Sequence, residues 1–262
     1  LVKRKKSLGQ CFLSDPEYLD AEAEIISPNQ KFVLEIGGGD GRLTERLVSL
    51  GAKKVYVVEK DPEYALLLRK KFATNNVEVI EDDFLDVKPF KVDIICGNIP
   101  YYISSAITFK LQEWRFRRAV LMYQKEFGEK MCATGNQKSR LSFFTQYYFE
   151  CEPLFTIPHT AFSPAPKVDS ILLELIPKEV DPLPPRVSNV ISALFQHRLK
   201  TIRATLKIIC KGNKTPGRLS TIDELASHID LSKRIFELSS DEILLLGKEI
   251  AQEIELSDRT TD

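Results

Sequence analysis

Short apolar runs alternate with helical patterns along the first 180 residues, and this alternation limits the fold more than any single motif. Residues 32–36, 54–59, 77–80, 92–97 and 119–123 are β-branched or apolar runs of strand length. Between them, 41–50, 62–74 and 104–112 carry helical patterns. Strands interleaved with helices in this way predict a parallel sheet covered on both faces. Helices are expected next at 125–132 and 139–149, and a strand pair at 154–157 and 168–176 closes the sheet as a hairpin. The segment 177–185 reads Pro-Lys-Glu-Val-Asp-Pro-Leu-Pro-Pro and marks a linker, since it continues neither a helix nor an inner strand. Beyond it the pattern is wholly helical, at 187–194, 199–210, 222–227 and 241–255. The expected architecture is an α/β domain over 1–180 and a smaller all-α domain over 181–262.

Charge is distributed unevenly. The 37 basic and 37 acidic residues cancel, which alone speaks against a nucleic-acid partner. Yet residues 3–6 read Lys-Arg-Lys-Lys, and 186–218 hold eight Lys or Arg and no acid. The remaining 219–262 hold eleven acids against four bases. A cationic stretch of this kind is either a phosphate-binding surface or a solvated helix face. The five cysteines, at 11, 96, 132, 151 and 210, form no CxxC pair and read as reduced thiols of a cytoplasmic protein. The three histidines, 159, 197 and 228, are scattered, so no metal is expected. No apolar run reaches the ~18–20 residues of a membrane span, and no signal peptide is visible. Leu1 in place of Met points to a short piece preceding it.

Glu35-Ile36-Gly37-Gly38-Gly39-Asp40-Gly41 lies between the first strand run and the first helical pattern. Glycines here let backbone approach a ligand closely. Several nucleotide-binding folds use such loops, but an acid on the loop disfavours a pyrophosphate. It suits the cationic methionine moiety of S-adenosylmethionine. Glu59 ends the next strand, where a carboxylate accepts ribose hydroxyls. Asp82 and Asp83 follow the strand after that, placed for an adenine amine. Three acids at three successive strand ends form a register that isolated surface charges do not. A nicotinamide dinucleotide is the rival ligand, because it too wants an acid after the second strand. It has no use for the next motif.

Asn98-Ile99-Pro100-Tyr101 follows the fourth strand. Ligands of doubly wound sheets bind at the carboxyl ends of the strands, so this tetrad faces the same crevice. An exocyclic adenine amine is a poor nucleophile because its lone pair is delocalised into the ring. The Asn98 side-chain oxygen and the Ile99 carbonyl can each accept one of its N–H groups. Pro100 fixes the carbonyl direction, and Tyr101 offers a stacking plate. Such catalysis needs orientation and electrostatics rather than a strong base. Phe162, in Ala161-Phe162-Ser163-Pro164, is a second aromatic able to sandwich an extruded base. Taken singly, each is also what an Asn turn or a packed loop aromatic looks like.

Together these residues resemble the small-subunit rRNA adenine N6,N6-dimethyltransferases, the KsgA/Dim1 family. The resemblance runs across nearly the whole chain. It rests on Leu8-Gly9-Gln10-Cys11-Phe12-Leu13, Glu35–Gly41, Glu59, Asp83, the tetrad with Ile103-Ser104, and Gln124-Lys125-Glu126. It continues through 162–170 and the block Phe195-Gln196-His197-Arg198-Leu199-Lys200-Thr201-Ile202-Arg203. The resemblance implies a Rossmann-like sheet binding S-adenosylmethionine at Gln10, Leu13, Glu35 and the loop glycines Gly37, Gly39 and Gly41. It adds Glu59, Lys60, Asp83, Phe84 and Asn98 to that site, and no metal. It implies catalysis by Asn98, Ile99, Pro100, Tyr101 and Phe162. The substrate it implies is a pair of adjacent adenosines near the 3′ end of small-subunit rRNA, dimethylated within an immature ribosomal subunit. The helical domain then contacts RNA, and the protein is a monomer. Cys11, Asp82, Tyr102, His197 and Leu199 depart from the family's commoner residues, and Tyr102 bears on pocket width. Three alternatives stand beside this reading: a large-subunit rRNA methylase of the macrolide-resistance type, a non-catalytic assembly factor on the same fold, and a DNA adenine methylase.

Overall fold

The structure, a computed structural model, describes residues 11–212 and 229–259. Gln10, the cations at 3–6, His228, the end of the basic block at 213–218 and the helix expected at 222–227 lie outside the described residues. The chain divides into two compact units, Leu1–Cys132 with Thr145–Glu179, and Ala133–Phe144 with Val180–Asp262.

The first unit is built on β2 (Phe32–Ile36), β3 (Lys54–Glu59), β4 (Val77–Glu81), β5 (Ile94–Asn98), β6 (Arg118–Gln124), β7 (Phe149–Ile157) and β9 (Ser170–Pro177). These form one seven-stranded sheet in the order β4-β3-β2-β5-β6-β9-β7. The strands from β4 to β6 are parallel, and β9 runs antiparallel to both β6 and β7. The closing hairpin therefore has its later strand inside and its earlier strand at the edge. Pro153 fits there, beside a register shift, because an edge strand tolerates a missing N–H. A separate two-stranded pair joins β1 (Phe12–Leu13) to β8 (Phe162–Ser163).

Val33, Leu34, Val55, Val57 and Ile95 are fully or nearly fully buried, as expected of parallel strands covered on both faces. α1 (Pro16–Ile26), α2 (Arg42–Ser49), α3 (Pro62–Lys71), α4 (Ser104–Lys110) and α5 (Lys125–Met131) accompany them. Both α1 and α3 start in the same way. Asp15 and Asp61 accept the backbone N–H of Glu17 and Glu63, each at 3.0 Å, and a proline opens the first turn. From β2 the chain crosses to β3 on one side, and it returns to β5 on the other. The carboxyl ends of β2 and β5 thus flank the point where strand order reverses, the usual crevice for a ligand.

α6 (Arg140–Tyr148) contributes residues to both units. The second unit also holds α7 (Pro185–Gln196), α8 (Ile202–Gly212) and α9 (Ser240–Arg259). α7 and α9 meet closely at Gly247, where an added Cβ would lie 2.6 Å from Ile191 Cγ1. Residues 133–144, placed in the first domain by the sequence, cluster with this unit. The buried Lys138 ammonium donates to Leu238 O at 2.7 Å, and Arg198 Nη1 donates to Lys138 O at 3.0 Å. Among the described residues no helix is long and apolar enough to cross a membrane.

Candidate active site

A cavity opens at the carboxyl ends of β2, β3 and β5. The glycine loop forms its floor. Gly37 N–H donates to Val58 O at 2.8 Å, which continues the β2–β3 pairing into the turn. Gly37 is at φ +77°, and a Cβ built on it would meet nothing within 4 Å. Its backbone therefore faces open space. Gly39 is the crowded one: the Phe12 ring would lie 2.6 Å from its Cβ. β1 thus lies over the loop, with Arg42 Nη1 donating to Leu13 O at 3.2 Å. Gly41, expected among the cofactor contacts, is buried away from the cavity wall. It opens α2 and packs on Phe72.

Glu59 organises this floor. Its Oε2 accepts Gly39 N–H at 2.9 Å and its Oε1 accepts Asp61 N–H at 2.8 Å. Burial raises its pKa, and these two N–H groups oppose the shift. Glu35 lies deeper and is 2% exposed. Thr44 Oγ1 donates to it at 2.6 Å, and burial pushes its carboxyl up to about 8. Asp83 lies across the cavity, paired with the Lys60 ammonium at 2.6 Å. Burial would raise Asp83, but Lys60 and the Leu85 N–H outweigh it and hold it below its ordinary value. Asp82 stays exposed beside it. Phe84 is buried and stacks on Trp114, with ring centres 5.3 Å apart, so one wall is apolar and flat.

The tetrad closes the other side. β5 outruns β2, and Ile99 N–H still donates to Met122 O of β6 at 3.1 Å. Asn98 is thereby carried past the glycine loop. Its Oδ1 is sealed from solvent and has no hydrogen-bond partner, an orphaned acceptor at the point of strand reversal. Pro100 leads into a 3-10 turn at Tyr101–Ile103. The Tyr101 hydroxyl lies 3.0 Å from Ser170 Oγ, which anchors the ring to β9. Tyr102 lines the cavity and is 60% exposed. Phe162 lines the same cavity but is buried, at 6% exposure.

The profile of the ribosomal RNA adenine dimethylase family matches residues 1–252. The chain belongs to this family. It is 38% identical to a probable ribosomal RNA small subunit methyltransferase A of Thermococcus gammatolerans, covering 93% of this chain and 88% of the relative. The same identity holds against the Methanococcus maripaludis protein of that description, over 97% and 100% of the two chains. Among solved structures, a dimethyladenosine transferase from Plasmodium falciparum superposes with a TM-score of 0.78 at 30% identity, covering 92% and 98%. The 23S rRNA methyltransferase ErmE gives a TM-score of 0.65 at 27% identity, covering 91% and 98%.

Rossmann-like methyltransferases of this family depend on S-adenosylmethionine. The residues present fit that molecule. A backbone floor opens at Gly37, carboxylates stand at the ends of β2, β3 and β4, and an apolar wall is offered by Phe84. Among the described residues no cluster of His, Cys, Asp or Glu is suited to a metal ion. Three elements of the first unit, β1, β8 and α1, carried no expectation from the sequence. β1 and β8 are too short to leave a local signal. α1 has the start signal Asp15-Pro16, but its core face includes Glu22, which breaks the apolar periodicity.

Proposed function

We propose that this dimethylase transfers methyl groups to N6 of two adjacent adenosines near the 3′ end of small-subunit rRNA, two to each, within an immature ribosomal subunit. It works in the cytoplasm as a monomer. The observation that carries the reading is that Asn98, Ile99, Pro100 and Tyr101 line one cavity with the Glu59-tethered glycine loop. S-adenosylmethionine, when bound, supplies an electrophilic methyl group on a sulfonium. The chain supplies position. Asn98 Oδ1 and the Ile99 carbonyl accept the two amine hydrogens, which draws the nitrogen lone pair out of the ring plane and aims it at the cofactor side. Tyr101, held by Ser170, stacks on the base, and Phe162 backs the opposite face. The methylated nitrogen is acidic and loses its proton to water, so no buried base is needed. Glu59 accepts ribose hydroxyls, Asp83 accepts the cofactor's adenine amine, and Glu35 and Lys60 complete the polar rim. The exposed cations of the second unit, Lys200, Arg203 and Lys207, contact phosphate.

The test is methyl incorporation into immature small subunits lacking these marks, read by mass spectrometry of the nucleosides. Dimethyladenosine at the paired 3′ adenosines is expected with the wild type and not with Asn98→Ala. Incorporation into large-subunit rRNA instead would refute the substrate. Equal incorporation by wild type and Asn98→Ala would refute the mechanism.

A further inference from the structure

Cys132 and Cys151 lie 19 residues apart in the chain, and the fold brings their sulfur atoms to 2.7 Å from each other. No local motif pairs them, and each is placed by its own element. Cys132 ends α5, where its N–H donates to Gly128 O at 3.2 Å. α5 is seated against the sheet at Gly128, since a Cβ there would lie 2.4 Å from Ile171 Cγ2 of β9. Its last turn is tied as well, because Gln146 Nε2 donates to Met131 O at 2.8 Å. Cys151 belongs to β7, the edge strand, in register with Leu175 of β9. Both backbones are therefore anchored on the same strand. The sulfur pair is a product of that packing rather than of two loose side chains.

A disulfide bond is about 2.05 Å long, so from 2.7 Å the two atoms need approach by only about 0.7 Å to form one. Both side chains are half-buried, and Cys151 is flanked by exposed Glu150 and Glu152, so a small oxidant can reach the pair. The first proton leaves the pair more easily than it leaves an ordinary thiol, because the remaining S–H donates to the sulfur left charged. The second is held back by that same bond and by burial. A thiolate beside a thiol is the arrangement that thiol–disulfide exchange needs, one sulfur to attack and the other to resolve. Neither cysteine lines the cavity at the strand ends, so methyl transfer makes no use of them.

We propose that Cys132 and Cys151 form a redox-active dithiol, closed to an intrachain disulfide by a small-molecule disulfide. One thiolate attacks the oxidant, and a mixed disulfide forms as the first small thiolate departs. The second cysteine gives up its proton and attacks the mixed disulfide. The Cys132–Cys151 bond forms, and the second small thiolate leaves. Two electrons pass to the oxidant, and the two thiol protons end on the two departing thiolates. The bond closes the loop that carries residues 133–144, the segment that clusters with the second unit. It ties the place where the chain leaves the first unit to the strand that follows its return.

The test exposes the purified full chain to glutathione buffers of graded reduced-to-oxidised ratio, traps remaining thiols with N-ethylmaleimide and maps the peptides by mass spectrometry. The expected product is a Cys132–Cys151 link within one chain. Closing a loop of this length constrains the unfolded chain, so the oxidised protein should melt roughly 5–10 °C above the reduced one. By linkage, folding should favour the bond by the matching factor, roughly a hundredfold in equilibrium constant over the same chain in urea. Cys132→Ser and Cys151→Ser should each lose the oxidant-dependent rise in midpoint, and the wild-type peptide map decides the matter should a serine variant fail to fold. Both thiols alkylated at every ratio, glutathione adducts without a link, or a link to another cysteine overturns the proposal. A link that forms no more readily in the folded chain than in urea overturns it too, since the fold would then not set the pair.

Discussion

Replacing Glu59 by Gln probes the glycine loop with almost no change of shape. The carboxylate accepts one N–H on each oxygen, from Gly39 at 2.9 Å and from Asp61 at 2.8 Å. Glutamine offers one oxygen and one NH2, so one of these contacts must become donor against donor. Asp61 is 2% exposed and caps α3, whereas Gly39 sits on the loop with partial access to water. The amide oxygen should therefore stay with Asp61, and the Gly39 tether should be lost. A hydrogen bond to a charged group contributes about 1.5–3 kcal/mol. At about 1.4 kcal/mol per decade, cofactor binding that needs the loop in place weakens roughly ten- to hundredfold. Loss of the proposed ribose acceptor would add to this. Titration calorimetry with S-adenosylhomocysteine measures the change, and a melt of the ligand-free protein reports on folding. Affinity within about threefold of wild type, with Glu59→Asp equally unaffected, would refute the claim that this carboxylate sets the loop.

Gly97→Ala places a Cβ 2.4 Å from Ile36 O at φ +144°, a backbone clash that no side-chain rotation relieves. Strain and overpacking of about 1–3 kcal/mol each predict a thermal midpoint lower by roughly 5–20 °C and loss of methyl transfer; a midpoint within about 2 °C would contradict this. Tyr101→Phe removes the hydroxyl contact to Ser170 but keeps the plate, so kcat/KM should stay within a few-fold. Tyr101→Ala should lose about 1–3 kcal/mol of base stacking, and equal kinetics for the two variants would exclude a stacking role. Stability should also depend on pH through Glu22 and Glu35, both raised from 4.5 to about 8. Between those values the folded chain holds protons that the unfolded chain has released, so both groups lower stability as pH rises and level off above about pH 8. Glu22→Gln removes one of the two, so its urea midpoint should gain on wild type between about pH 5 and pH 8; a constant difference across that range would show that Glu22 does not titrate there.

The strands around the site were readable because parallel strands buried on both faces present unbroken apolar runs. β2 and β3 begin and end where their runs do, at Phe32–Ile36 and Lys54–Glu59. β7 begins at Phe149, ahead of the expected residue 154, because Glu150, Glu152 and Pro153 look like a loop yet suit an edge strand. Asn98, Glu59 and Asp83 were placed by strand ends, which local sequence marks well. Glu22 was hidden for the opposite reason. It is buried on the inward face of α1, and a buried glutamate reads in sequence as a surface one. Gly41 illustrates a third case: a glycine in the right motif whose conformation serves the helix start rather than the cavity.

The pairing of β1 with β8 carries a consequence for how the protein comes into being. The Ser14 hydroxyl donates to Ala161 O across 147 residues, and Phe12 and Leu13 find their strand partners only at Ser163 and Phe162. β7 likewise has no strand partner until β9 has been made. A growing chain can therefore assemble the parallel strands early, while the cover over Gly39 waits for contacts distant in sequence, which form slowly. The cavity is finished last, by the first described residues of the chain folding back over its middle. A nascent chain stopped before Phe162 should hold the floor of the site without its roof, and donor affinity should arrive late in synthesis.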